Sequence, residues 1–213
     1  MKKLFLLLAV TTLGLTACKK ENKTTTETEK TIVATPSTYS IDAKATQVHW
    51  TAYKTTAKKG VKGVFTTLKI SNPITSKTKQ GAFENLAFEI PVSSFFSKNE
   101  ERDTKIKKLF FGVMDQTTLI SGGFSNVAGN DTKGTMTLNL KMNGNLVPVP
   151  MTYTITSNTV TVNGTLTNLM DWKMETAFVS LHKACEKLHT GTDGVSKTWT
   201  DVAISATAVL KSN

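Results

Sequence analysis

Apolar and polar residues alternate most clearly between Lys133 and Thr167. In the first run Met136, Leu138, Leu140 and Met142 fall on one face, and Thr135, Thr137, Asn139 and Lys141 on the other. Period two is the pattern of a strand with one dry and one wet face. Asn143-Gly144 follows, and both residues tolerate the positive φ of a tight hairpin turn. The next run sets Val147, Val149, Met151, Tyr153 and Ile155 on its apolar face. Pro148 and Pro150 stand opposite and carry no backbone N–H, so this strand is expected to be an edge or to be interrupted there. Beyond Ser157-Asn158 a third run brings Val160, Val162 and Leu166 together. Three consecutive antiparallel strands are predicted.

The same reading predicts strands over Gln47–Lys54, Val61–Asn72, Ala82–Val92, Thr117–Val127 and Thr198–Lys211. Val61–Asn72 has a mixed pattern, which suggests a bulge or a strand covered on both faces. A helix is expected from Ser97, because Ser97 and Glu100 have capping-box spacing, acids fill the first turn and lysines the last. A longer helix is expected over Asp171–His189, where Trp172, Phe178, Leu181, Cys185 and Leu188 recur at helical spacing. Eight strands and two helices point to a mainly β fold, an eight-stranded antiparallel barrel with two flanking α-helices, since closure removes exposed edges. Such a barrel is just wide enough for one ligand. Ala52, Ala206 and Ala208 are small residues on apolar faces and, pointing inward, would leave room for a ligand; the alternative is a solid core in which Phe and Trp from other strands fill that space.

Ahead of this domain, Lys2-Lys3, the apolar run Leu4–Leu15 and the ending Leu15-Thr16-Ala17-Cys18 read as a lipoprotein leader. The apolar run is too short to span a bilayer. Residues 1–17 are expected to be removed and the Cys18 thiol lipidated. Residues 18–38 are rich in Lys, Glu and Thr and read as a polar tether reaching about 25 Å. The folded domain is assigned to 39–213. This places the protein in a bacterial cell envelope, facing the periplasm or the cell surface and held to a membrane by its N-terminal lipid.

The formal charge is +10 at pH 7, and Arg102 is the only arginine. Scattered lysines without arginine forks or a recognisable module do not suit a nucleic-acid binder. Cys185 stands alone in the domain, so no disulfide is expected. No nucleophile elbow, zinc-protease helix, P-loop or dinucleotide fingerprint is present, and an enzyme is not expected.

Tyr39-Ser40-Ile41-Asp42, Val48 to Trp50, Gly63-Val64-Phe65, Glu101-Arg102-Asp103 with Leu109-Phe110-Phe111, and Gly134-Thr135 with its Asn143-Gly144 turn occur in a characteristic order. In this the segment from Tyr39 to Leu210 resembles the YceI-like family of bacterial periplasmic proteins. The resemblance implies a lipocalin-like antiparallel barrel with a polyisoprenoid or quinone-like lipid in its lumen. It also implies no cofactor beyond such a lipid. After Leu166 the sequence departs from the family's usual Asn-Arg-x-x-Phe-Gly-like segment, reading Asn168-Leu169-Met170-Asp171-Trp172 and then the long helix. The expected partners are an isoprenoid or other long-chain lipid and the membrane; the sequence is also compatible with a homodimer.

Trp50, Phe65, Phe88, Met142 and Tyr153, on apolar strand faces, are the expected ligand lining. A different chemistry is offered by His182, Cys185 and His189, whose offsets put them on one helix face. Imidazole and thiolate together suit zinc, which would make this a metal- or thiol-dependent envelope protein. Alternatively Cys185 is a small buried hydrophobe and the histidines are polar residues at the helix edge. Arg102 either meets a ligand head or the barrel rim, or simply belongs to the start of its helix.

Overall fold

A computed structural model describes residues 37–116 and 118–213. The leader, Cys18 and nearly all of the expected tether lie outside the described residues. The described chain forms β1 (Tyr39–Lys54), β2 (Lys59–Phe65), β3 (Lys69–Asn72), β4 (Ala87–Pro91) and β5 (Phe95–Phe96). Helix α1 (Glu100–Leu109) follows, then β6 (Leu119–Gly129), β7 (Lys133–Met142), β8 (Asn145–Thr156) and β9 (Thr159–Leu166). Helix α2 (Glu175–His189) and β10 (Thr198–Ser212) complete it. Every core residue lies between Tyr39 and Leu210. The unit Pro36–Asn213 therefore holds its own core and is compact by itself.

The alternating segments form strands as their pattern dictates. Met136, Leu138, Leu140 and Met142 on β7, Val149, Met151, Tyr153 and Ile155 on β8, and Val160, Val162 and Leu166 on β9 are all buried. β7 and β8 pair from Lys133↔Thr154 to Met142↔Asn145 around the Asn143-Gly144 turn, where both φ values are positive. β9 pairs with β8 only from Met151 onward. Pro148 and Pro150 therefore sit where β8 has a neighbour on one side, and their missing N–H groups interrupt no ladder bond.

All ten strands form one sheet in the order β3-β4-β6-β7-β8-β9-β10-β1-β2-β5, with antiparallel pairing throughout. The expected closed eight-strand ladder is thus a curled ten-stranded sheet, a half-barrel with two helices. The two extra strands come from the chain that bridges its edges. The expected strand Val61–Asn72 is two strands, β2 near one edge and β3 at the other, joined by only Thr66-Thr67-Leu68. In the same way β4 lies near the β3 edge, and a short turn carries the chain on to β5 at the opposite edge. The two crossings are stitched together: Ser94 O accepts from Thr66 N–H at 3.0 Å and from Thr66 Oγ1 at 3.2 Å. The mixed pattern of Val61–Asn72 has its cause here, because a crossing segment changes partners and faces.

β1 starts at Tyr39 rather than Gln47. Its register against β10 slips between Asp42 and Gln47, where Lys44 N–H donates to Asp42 Oδ1 at 3.0 Å. That bulge breaks the alternation and hides the first half of the strand. The two helices also start later than expected. Asn99, not Ser97, caps α1, accepting from Arg102 N–H at 2.8 Å. The long helix is split: a single turn over Leu169–Trp172 ends at Lys173 in the left-handed region (φ 56°), and α2 begins at Glu175.

Packing explains that break. Trp172 is 1% exposed, and its indole N–H donates to Leu140 O at 2.9 Å. Asn143 Nδ2 donates to Trp172 O at 3.0 Å and Lys173 O at 2.8 Å, while its Oδ1 accepts from Asp115 N–H at 2.8 Å. The turn residue chosen for its backbone conformation thus also ties the β7–β8 hairpin to the entry of α2. Asn143→Gly keeps the left-handed backbone but removes these side-chain bonds. It should destabilise the unit by about 1–3 kcal/mol, read as a lowered urea midpoint at unchanged slope.

Candidate functional site

The concave face of the sheet and the apolar sides of α1 and α2 enclose a cavity of about 190 Å³. Val48, Trp50 and Ala52 of β1 meet Leu138, Leu140 and Met142 of β7 across it, with Phe65, Phe88 and Ile90 between. Ile106 of α1 and Phe178 and Leu181 of α2 close it. Thr198 carries the only hydroxyl among its lining residues. Near the seam the wall is aromatic: Trp50 stacks on Phe95 at 4.7 Å, and Phe65 and Phe111 meet Phe95 edge-on at 5.6 and 5.9 Å.

A second cavity of about 300 Å³ adjoins the first, sharing Trp50, Ala52, Ile106, Leu181 and Thr198. Its remaining wall includes Lys54, Glu101, Arg102, Lys105, Cys185 and His189. An apolar inner chamber thus shares a wall with a cavity whose polar mouth lies between α1 and α2. Together they reach the size range of small-ligand pockets, roughly 300–1,000 Å³.

The mouth's charged groups are mutually engaged. Lys105 Nζ lies 2.7 Å from Glu101 Oε1 and holds that carboxyl below its ordinary range. Lys54 Nζ donates to Leu188 O at 2.9 Å. Arg102 donates from Nε to Ser97 Oγ and from Nη2 to Ser97 O, both at 2.7 Å. Ser97 in turn donates to the buried Asp103 from its hydroxyl and, at 3.0 Å, from its N–H. Arg102 therefore braces the start of α1 and also lines the mouth.

Of the expected lining residues, Trp50, Phe65, Phe88 and Met142 face the inner chamber. Tyr153 does not. It is 1% exposed, and its hydroxyl donates to Asn130 O at 3.0 Å, packed against the β6–β7 turn. Alternation tells which way a side chain points, but not where along the strand the interior is filled. Ala52 lines both cavities, whereas Ala208 is packed in the core. Phe95 carries no sequence signal for its place in the wall, because its strand has two residues and no period. Phe178 and Leu181 were legible as a helical stripe, but the stripe did not say that it covers a cavity.

The metal reading of His182, Cys185 and His189 is not supported. Among the described residues no three His, Cys, Asp or Glu side chains form a group that could hold a metal ion. Instead the Nδ1 atoms of His182 and His189 lie 2.8 and 2.6 Å from Thr198 Oγ1. A hydroxyl carries one hydrogen, so at least one of the rings donates an Nδ1–H to it. His49, the third histidine, neighbours Trp50 on β1 and so points to the opposite face. Burial pushes the Cys185 thiol up, which disfavours the thiolate a reactive cysteine needs. Burial first, then Lys54 and His182, push His189 down to about 4.

The described residues thus form a half-barrel of antiparallel strands with an apolar chamber under two helices. A family model described as the YceI-like domain matches residues 39–209, and the chain belongs to that family. No curated protein matches the chain. Among solved structures it is similar to a polyisoprenoid-binding domain from Saccharophagus degradans implicated in plant cell wall breakdown. The TM-score is 0.57 at 13% identity, over 82% of this chain and 98% of that one. It is also similar to BcnA of Burkholderia cenocepacia, with a TM-score of 0.50 at 16% identity, over 80% of this chain and 99% of that one.

His189 gives a signed pH prediction. An imidazole held at about 4 when folded and near 6.5 when unfolded keeps its full stabilisation above pH 6.5. As pH falls from 6.5 to 4 the unfolded chain takes up the proton first, and that stabilisation is lost. Over that window the wild type should lose on the order of 1–2 kcal/mol more than His189→Gln, allowing for the ring's partial exposure. Urea midpoints at pH 7, 5.5 and 4 measure the difference.

Proposed function

We propose that this is a lipid-anchored extracytoplasmic binding protein that holds a long apolar ligand, an isoprenoid or quinone-like lipid. The chain lies in the inner chamber and the head sits in the mouth between α1 and α2. The observation that carries this reading is an apolar chamber set against a polar mouth, the two sharing Trp50, Ala52, Ile106, Leu181 and Thr198 in their walls. Apolar chain buried there contributes roughly 25 cal/mol per Å² removed from water, so affinity needs few polar contacts. The polyisoprenoid-binding neighbour in Saccharophagus degradans supports the ligand class through its shared fold. The role is binding rather than catalysis, since the mouth's charged groups brace one another instead of forming a nucleophile–base pair. In this reading Cys18 carries the anchor and residues 18–38 let the domain stand off a membrane of the bacterial envelope.

Native mass spectrometry of Pro36–Asn213, purified from a bacterial host without detergent, tests the reading. The expected result is an adduct of lipid mass that is lost on denaturation and extractable into organic solvent. A protein that comes through bare, and takes up no prenyl lipid added to it, would sink the reading. Ala52→Phe, placed where chamber and mouth join, should lower lipid occupancy at least tenfold, about 1.4 kcal/mol. Far-ultraviolet circular dichroism should remain that of the wild type. Unchanged occupancy would show that the lipid lies elsewhere.

A further inference from the structure

Beside the mouth, the turn after β1 (residues 55–58) and the loop after α2 (residues 190–197) are bonded into one tip. Thr55 N–H donates to Lys197 O at 2.8 Å, Lys197 N–H to His189 O at 3.1 Å, and Trp199 Nε1 to Thr55 O at 2.8 Å. Thr56 Oγ1 donates to Asp193 Oδ2. Leu188 and Val195 stand out from this tip, 58% and 50% exposed.

Lysines surround the two apolar side chains. Lys54, Lys58, Lys59, Lys187 and Lys197 lie in the tip or directly beside it, against Glu186, Asp193 and Asp201. Asp201 is paired with Lys58 at 2.9 Å, and Asp193 accepts from Thr56 and from Val195 N–H. The tip therefore keeps an excess of positive charge. Two half-buried aromatic rings complete it: Lys58 Nζ lies 5.0 Å from the Tyr53 ring and 4.6 Å from the Trp199 ring, and Lys197 Nζ 5.2 Å from the latter. Exposed aliphatics, Trp and Tyr rings and a ring of lysines together suit a membrane–water interface. The aliphatics enter between headgroups, the rings sit at headgroup level, and the ammonium groups meet lipid phosphates. Lys54 and Leu188 also line the mouth, and Trp199 lines the inner chamber, so the tip borders the ligand site itself.

Resting on the lipid-binding reading above for its purpose, we propose that this tip docks on an anionic lipid bilayer and sets the mouth against the membrane from which the ligand is taken. The lysines draw the tip to the surface, and insertion of Leu188 and Val195 fixes its orientation. β1 puts Tyr39 and Lys54 at opposite ends of a strand about 50 Å long. The residues from Cys18 to Tyr39 extend to about 70 Å, so an anchor at Cys18 lets the tip reach the same surface.

Flotation of Pro36–Asn213 with vesicles tests this. The wild type should float with mixed phosphatidylglycerol–phosphatidylcholine vesicles and not with phosphatidylcholine alone, and salt at about 0.5 M should release it. Val195→Asp should weaken vesicle binding about tenfold, and Val195→Ser, which removes apolar area without adding charge, about threefold. Asn158→Asp adds the same charge in the β8–β9 turn, at the end of the sheet where β1 begins, and should float like the wild type. All three variants should keep the wild-type circular dichroism and take up a fluorescent prenyl probe from solution as the wild type does. Transfer of that probe from anionic vesicles should slow only in the two Val195 variants. Failure of the wild type to float with anionic vesicles, Val195 variants that float as it does, or an equal loss in Asn158→Asp overturns the inference and leaves the lipid-binding reading intact. A wild type that floats but takes up no prenyl probe overturns that reading, and with it the exchange the tip would serve.

Discussion

A curled sheet must do something with the unpaired N–H and C=O groups along its two edges. Here two short stretches of chain deal with both. β2 runs into β3 and β4 runs on towards β5, so each stretch leaves one edge and arrives at the other. Only a sheet that curls back on itself lets three residues, Thr66 to Leu68, make that journey. The crossings bond to one another through Thr66 and Ser94. The half-barrel, and the hollow inside it, follow from this geometry.

Curling brings the dry faces of β1, β4, β7 and β10 towards one another, but the interior is not filled evenly. At one end Tyr153 and its partners on the β6–β7 turn pack tightly. Towards the helices the sheet supplies Ala52 where larger residues would meet, and α1 and α2 cover the gap instead of plugging it. The covering helices bring charge to the rim. Their ion pairs and main-chain bonds hold Lys54, Arg102 and Lys105 in fixed positions, so the mouth is polar without being a strong electrostatic trap. The histidines of α2 belong to the same arrangement. By meeting on Thr198 they fasten α2 to the start of β10.

Much of this was legible in the sequence where local physics decides. The period-two runs of β7 to β9 allow one buried face and no other, and Asn143-Gly144 permits one kind of turn. Pro148 and Pro150 marked where β8 has no second neighbour, because a missing N–H is a property of the residue itself. The lining positions Trp50, Phe65, Phe88 and Met142 were visible for the same reason: alternation fixes the side of the sheet. The tertiary structure alone decided matters that depend on distant partners. It divided Val61–Asn72 between two edges, since edges exist only once the sheet has curled. It broke the second helix at Lys173, because Asn143 and Leu140 hold Trp172 from another hairpin. It placed Tyr153 in the packed end and drew His182 and His189 onto a hydroxyl rather than a metal. Direction along a strand is encoded by neighbours in sequence; depth within the barrel, and the partner each polar group finds there, are set by segments up to a hundred or more residues away, as when Trp199 meets Thr55 at a separation of 144.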